Sequence, residues 1–465
     1  MASAKASKRY DIDMCSGPIL PKMLKFTLPL MAASILQLLF NAADIIVVGK
    51  FCGDNSMAAV GSNGALVNLM TNFFIGLSAG VNVLAARYYG SKSDEELSKT
   101  VHTSILLSII GGVFLTLLGL FGAEKMLGLM STPENIVGLA SVYLRIYFLG
   151  MTATTVYNFG SALLRAIGDT KRPLYYLSAA GVLNVVLNII FVVVFRLDVV
   201  GVALATVITQ VLSAALIVRC LMRETGAIKL VLKKLRIDRR KLGQIVSIGL
   251  PAGIQGTLFS LSNVVIQSSI NLFGDVVVAG NAAAANLEGF VYVAMNSFYQ
   301  AAVSFTSQNF GQHRFRRIIK IQLIGQACVT VTGLVLGNAL TFLGNELLWI
   351  YSDTIEVVEA GIVRFAFVAS PYFLCGMMEV LTAGMRGIGY SVLPMAVSLI
   401  GACVFRLVWL ATVFNIPQYH VIETVYISYP ISWILTAGVH CICFVLTMRK
   451  LMKKYKDDPD AIHAN

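Results

Sequence analysis

Apolar residues run along this chain in long, nearly unbroken stretches, and charged residues fall almost entirely between them. Crossing the hydrocarbon core of a bilayer takes a helix of about 20 mostly apolar residues. Runs of that kind cover 23–48, 61–86, 101–122, 136–164, 173–195 and 199–221, and, beyond a basic connector, 245–272, 276–305, 321–343, 357–384, 392–415 and 424–448. An amphipathic soluble helix would interrupt such a run with a polar residue every third or fourth position. The pattern therefore predicts an all-α membrane protein of about twelve transmembrane helices.

Composition agrees with the pattern. Of the 465 residues 57% are hydrophobic and 13% charged, against about 25% charged in a soluble domain. The first two dozen residues are polar and basic, with no short apolar run leading to a small-residue cleavage site, so the first span is expected to be retained as an anchor. Placing Lys and Arg on the twelve-span frame, with Lys25 and Arg219 at span ends counted with the adjoining tail or connector, puts thirty on one side, three on the other and three (Arg145, Arg364, Arg406) within spans. Positively charged connectors stay cytoplasmic, so both termini are expected in the cytoplasm of a multi-pass plasma (inner) membrane protein. The net charge of +12 then reflects topology, not nucleic-acid binding. The densest basic segment, Lys229 to Lys241, reads as a cytoplasmic linker beside anionic lipid. The eight cysteines are scattered and form no CxxC pair or Cys/His cluster, so neither a disulfide framework nor a metal site is expected. No phosphate-binding glycine loop is present, and no cofactor is expected.

The basic linker sits near the middle of the chain, and the two halves repeat each other. Leu28-Pro29, Asn41 and Phe51 recur at a shift of 222 as Leu250-Pro251, Asn263 and Phe273. At a shift of 221, Gly90 matches Gly311, Arg165-Ala-Ile-Gly168 matches Arg386-Gly-Ile-Gly389, and Pro173 matches Pro394. Six spans per half make the repeats parallel. The expected organisation is a six-helix lobe over residues 1–222, a linker over 223–242 and a second lobe over 243–465.

Several segments, taken together and in order, resemble the multidrug and toxin extrusion (MATE) transporters over nearly the whole length. They are the Leu-Pro entry to span one, Asp44-Ile-Ile-Val-Val-Gly49, the Arg-x-x-Gly-(x)4-Pro exits of spans four and ten, the Asn184/Asn188 pair, and Gly201 followed by Thr206. The resemblance implies two six-helix lobes around a central cleft that opens alternately to either side.

An ionisable residue deep in a span costs about 2.5–3.5 kcal/mol on insertion scales and demands a reason. At ~1.5 Å of rise per residue, Asp44, Asn184, Asn188, Tyr143 and Thr206 share the outer half of the first lobe. Oxygen ligands around one carboxylate suit a proton or a hard cation such as Na+. The family resemblance implies the same, with a cation-binding carboxylate at Asp44 and polar partners at Tyr143, Asn184 and Thr206. Where many relatives have a second Asp, this chain has Asn188, which leaves H+ and Na+ both open. In the second lobe Glu288, Glu379 and Arg406 are the candidate polar site, with Arg406 expected to pair with either carboxylate as a structural bridge or as part of a substrate or cation site. Arg145 and Arg364 are placed near span ends, where long side chains reach the interface. His102 and His440 read as packed residues. Met70, Phe73, Tyr292, Met295 and Tyr299 suit an adaptable apolar substrate cleft. Pro29 is expected to bend span one, because proline removes a helix hydrogen bond.

The expected function is cation-coupled antiport, exporting amphipathic and often cationic compounds by alternating access, with the bilayer, the substrate and the coupling cation as partners of a monomer. The alternative is a lipid-linked oligosaccharide flippase of the same superfamily, whose cleft should carry several cationic side chains for pyrophosphate. The first lobe offers only Arg145. No paired carboxylates, HExxH or GxSxG motif points to a membrane enzyme.

Overall fold

The computed structural model describes residues 10–130 and 132–455. The basic residues Lys5, Lys8 and Arg9 of the N-terminal tail and Lys456 of the C-terminal tail, used in the charge bias, lie outside the described residues. Among the described residues there is no strand. Within the described residues, eleven helices are long and apolar enough to cross a membrane, twelve when a bent pair counts as one span. Only helices can do so in an open chain, because hydrocarbon offers no partner to a free backbone N–H or C=O.

The first half comprises α1 (Ile19–Phe51), α2 (Asp54–Gly90), α3 (Asp94–Leu129), α4 (Glu134–Leu149), α5 (Met151–Ala166), α6 (Lys171–Asn188) and α7 (Asp198–Arg223). The second comprises α8 (Arg239–Ile270), α9 (Asp275–Gly311), α10 (Phe315–Phe342), α11 (Ile355–Arg364), α12 (Phe373–Gly387), α13 (Val392–Ser398), α14 (Phe405–Ala411) and α15 (Ile422–Lys454). Where the apolar pattern predicts one span over 136–164, the chain makes two helices that meet at 46°. Gly150 joins them with ψ near −10°, short of the helical value of about −42°, and its missing side chain leaves room for Gln210 Oε1, 2.0 Å from where a Cβ would stand. Three other spans carry π-helical turns, over Ile189–Val194, Phe365–Ala369 and Leu399–Val404. α1 runs through Pro29 as one continuous helix, and α8 does the same through Pro251.

The repeat seen in the sequence is written into the backbone. Gly53 and Gly274 have φ of 87° and 88°, Lys92 and His313 54° and 56°, and Gly168 and Gly389 93° and 97°. Each pair is 221 residues apart. A Cβ at Gly53 or Gly274 would meet nothing, so the left-handed conformation alone selects glycine there.

By packing, the chain forms two compact units. One contains 10–13 and Ala32–Gly253, the other Met14–Met31 and 254–455. The division runs through α1 and α8, two residues beyond the proline of each. In the first unit α3 packs on α4 and α5, α2 on α4 and α5, and α7 on α5 and α6. Small residues bring these backbones together: a Cβ on Gly112 would lie 2.4 Å from Thr152 Cα. Thr155 Oγ1 donates to Ser108 O at 2.8 Å and Thr116 Oγ1 to Phe148 O at 2.8 Å, the polar glue expected between membrane helices. In the second unit α9 packs on α10, α11 and α12, while α15 covers α12. Phe73 belongs to the packing of the first unit, where its carbonyl would lie 2.6 Å from a Cβ on Gly253.

Candidate functional site

α1 presents Asp44 to a cavity of about 440 Å³ inside the first unit, whose wall includes Tyr143 of α4, Asn184 of α6 and Thr206 of α7. What seats Asp44 there is the turn before it. Phe40 fills the place of a side chain at Gly181, its ring carbon only 1.8 Å from where a Cβ would stand. α1 and α6 thus lock together one helical turn from Asp44, and that turn keeps the carboxylate on the cavity side.

Asn188, fully buried, donates from Nδ2 to Asp44 Oδ1 and, at 3.3 Å, to Asn184 Oδ1. Its own Oδ1 is buried and accepts no hydrogen bond. The π turn begins at the next residue, Ile189, a local widening found mostly at functional positions. Thr206 donates back to Val202 O at 3.0 Å, which leaves its oxygen as an acceptor. Tyr143 stacks on Tyr147, ring centroids 6.0 Å apart. Among the described residues, no cationic side chain is ion-paired with Asp44. Of the five residues singled out in the sequence for this lobe, Asn188 bonds to Asp44 and Asn184, and Tyr143, Asn184 and Thr206 line the same cavity as Asp44; together they offer oxygen atoms and the N–H groups of two amides. Such a set can accept a proton or a hard cation.

Two further wall residues follow from helical spacing alone. Tyr147 lies one turn after Tyr143 and Gln210 one turn after Thr206; both line the cavity, as i, i+4 spacing on one face requires. Asn68 and Thr71 of α2 also line it, and nothing in the single sequence marks them among the other polar residues of that span.

The second unit differs from expectation. Glu288 pairs with Arg364 and not with Arg406: Arg364 Nε donates to Oε1 at 3.0 Å and Nη2 to Oε2 at 2.6 Å. The remaining Nη1 donates to Asn281 Oδ1 at 2.7 Å. Arg364 is buried, only 7% exposed, because α11 packs along α9; it does not reach the interface. Arg406 instead donates from Nε to Ser432 Oγ at 2.8 Å and lies 4.1 Å over the Tyr429 ring. Glu379 is half-buried, with no hydrogen bond or ion pair among the described residues; Arg386, two turns on, is the charge that faces it. Of the residues expected to line a cleft, Tyr299 is buried and accepts a hydrogen bond from Arg386 Nη1 at 2.6 Å, and Met295 is buried against Gly333 and Gly376. Tyr292 is 39% exposed, and Met70 packs against the first unit's core. Arg145 pairs with Glu124 at 2.6 Å in an exposed bridge.

A repeated bundle of helices long and apolar enough to span a membrane, holding a carboxylate beside a cavity among them, fits a polytopic membrane transporter. The MatE family model matches residues 29–190 and again 251–412, once per half and 222 residues apart, and the chain belongs to that family, the MATE transporters. It is similar to the probable multidrug resistance protein YoeA of Bacillus subtilis (27% identical over 384 residues, 81% of this chain and 83% of that one). It is equally similar to YpnP of the same organism, also described as a probable multidrug resistance protein (27% over 403 residues, 86% and 89%). Its fold matches the outward-facing conformation of a multidrug resistance MATE family transporter of the MOP superfamily, with a TM-score of 0.88, 22% identity, and coverage of 95% of this chain and 98% of that one.

Proposed function

We propose that this protein exports amphipathic, often cationic compounds across the plasma membrane by antiport, driven by inward H+ or Na+, with both termini cytoplasmic and one chain as the working unit. The observation that carries the reading is the contrast between two carboxylates placed within spans, Glu288 buried and Asp44 half-buried. Glu288 is neutralised by Arg364, whereas Asp44 has an amide for a partner and no cation. A carboxylate held without a counter-charge at membrane depth is costly, and a mobile cation relieves that cost each time it binds. Asn188 Oδ1, buried and unpartnered, offers a second oxygen to such an ion. Proton or Na+ binding at Asp44 neutralises the first unit, and the neutral form favours repacking of α1, whose proline leaves one backbone carbonyl without its helix partner. The relatives' description as multidrug resistance proteins supports the substrate class, and a cavity of about 440 Å³ falls in the range of drug-sized sites.

The test is transport of a cationic dye in proteoliposomes with proton and sodium gradients imposed separately. One gradient should drive export by the wild type, and Asp44→Asn should abolish driven export while the protein still folds and inserts. Near wild-type export by Asp44→Asn under that gradient would move coupling to the second unit, where Glu379 lies within a span with no arginine bound to it among the described residues.

A further inference from the structure

The linker between α7 and α8 is built as a cradle on the first unit. Leu230 N–H donates to Leu221 O at 3.0 Å, and Val231 N–H to the buried His102 Nε2 at 3.1 Å. Asp238 N–H donates to Thr103 Oγ1 at 3.1 Å. The chain is thus fastened to α3 at 231 and at 238, and the segment between arches over a cavity of about 390 Å³. Lys99 and His102 of α3 and Lys233, Lys234 and Arg236 of the arch line it, together with Glu95 and Asp238.

Charge within the cradle does not balance. Glu95 is paired with Lys99 at 2.7 Å, and Asp238 Oδ1 accepts the Lys241 N–H at 3.0 Å at the start of α8. His102 is committed through both ring nitrogens, its Nδ1 lying 2.7 Å from Ser98 O. That leaves Lys233, Lys234 and Arg236, exposed and with no ion pair among the described residues. Leu232 (53% exposed) and Ile237 (37%) flank them on the same arch. Three cations against the one remaining carboxylate, Asp238, leave the concavity net positive, and with apolar residues flanking the cations on the arch it complements a phosphate group carried on an apolar body.

We propose that this cradle binds a phosphate-bearing anion, most simply the headgroup of an anionic phospholipid, held by Lys233, Lys234 and Arg236 while Leu232 and Ile237 meet its acyl region. The anchoring through His102 and Thr103 sets the three cations facing the cavity before any ligand arrives, which lowers the ordering cost of binding. Arg236 supplies a planar fork suited to phosphate and the lysines supply point charges.

The experiment uses the full-length protein in detergent, with binding of phosphatidylglycerol and of phosphatidylcholine read by native mass spectrometry, and free glycerol 3-phosphate added as competitor. The compared variants are K233Q/K234Q/R236Q and, with the same charge removed elsewhere, K450Q/K453Q/K454Q at the end of α15. All six side chains are exposed, so folding is not at stake. The cradle variant should lose phosphatidylglycerol affinity on the order of 100-fold, from about 1 kcal/mol per basic residue at a lipid surface, and the control variant less than about threefold. Competition by glycerol 3-phosphate assigns the site to soluble phosphates as well; lack of competition assigns it to the lipid. Equal losses in the two variants, or none in the cradle variant, would overturn the proposal.

Discussion

Arg364 grips Glu288 through Nε and Nη2 of its guanidinium, across 76 residues of sequence and from a neighbouring helix of the same unit. Removing one partner of such a buried pair strands the other, which costs about 3–5 kcal/mol. Glu288→Gln and Arg364→Met should each lower the thermal unfolding midpoint sharply. In the double variant Glu288→Gln/Arg364→Met much of that loss should return, because no charge is left unpaired. A double variant as unstable as the singles would show that the pair is not the source of the cost.

Arg406 should behave in the opposite way. Among the described residues its charge has no carboxylate partner and is held by Ser432 and the Tyr429 face, with Nη2 buried and unbonded. Cation–π contact of this kind contributes about 0.5–2 kcal/mol, less than burying an unpaired charge costs. Arg406→Met, which keeps the apolar bulk, should leave the midpoint near wild type or raise it. A drop comparable to that of Arg364→Met would mean that Arg406 has an anionic partner in the folded protein.

Gly181 offers a test of how Asp44 is positioned. Alanine there places a carbon inside the Phe40 ring, and overpacking of this sort costs about 1–3 kcal/mol. Because Phe40 and Asp44 share a helix face one turn apart, Gly181→Ala should impair driven export as well as stability. Adding Phe40→Leu should restore both in part. If Phe40→Leu alone matches the damage of Gly181→Ala and the double variant is worse still, α1 is not positioned by this contact.

Asp11 carries a pH dependence that can be signed. Residue 11 approaches Asp169, Arg172 and Glu224, with Tyr89 hydrogen-bonded to it, and Oδ1 is buried without a partner. Burial first, then the neighbouring Glu224, pushes its pKa up to about 6. The docked segment therefore prefers a protonated Asp11: this contribution is fully present below the ordinary carboxylate range and is lost as pH rises through about 6. Amide exchange at residues 10–13, corrected for the intrinsic rate, should show more protection at pH 5 than at pH 7.5. In Asp11→Asn the difference should vanish, and its persistence there would show that Asp11 is not its source.

Much of this architecture can be read from the chain because the solvent is hydrocarbon. A charge within an apolar run is conspicuous, and so Asp44, with the amides of Asn184 and Asn188 facing it, stands out before any coordinates are seen. The partner of Glu288 does not stand out, because Arg364 falls near a span end where an arginine can reach water; only the packing of α11 on α9 denies it that route. The break at Gly150 and the π turns beside Asn188, Arg364 and Arg406 leave no trace in hydropathy, since they change the path of the helix and not its polarity. Tyr147 and Gln210 follow from Tyr143 and Thr206 by one helical turn, and a consistent use of that spacing finds them.

The two units exchange segments: residues 14–31 pack with the second, and 239–253 with the first. For a ribosome feeding this chain into a membrane, six spans are therefore not a finished product. The first unit waits for the N-terminal part of α8, translated only after the basic linker has emerged, and the second unit needs a stretch made before nearly all of the first. Cutting the gene at the linker would give two fragments, each missing a piece that the other holds, so the halves are duplicates in sequence but not separable modules in assembly.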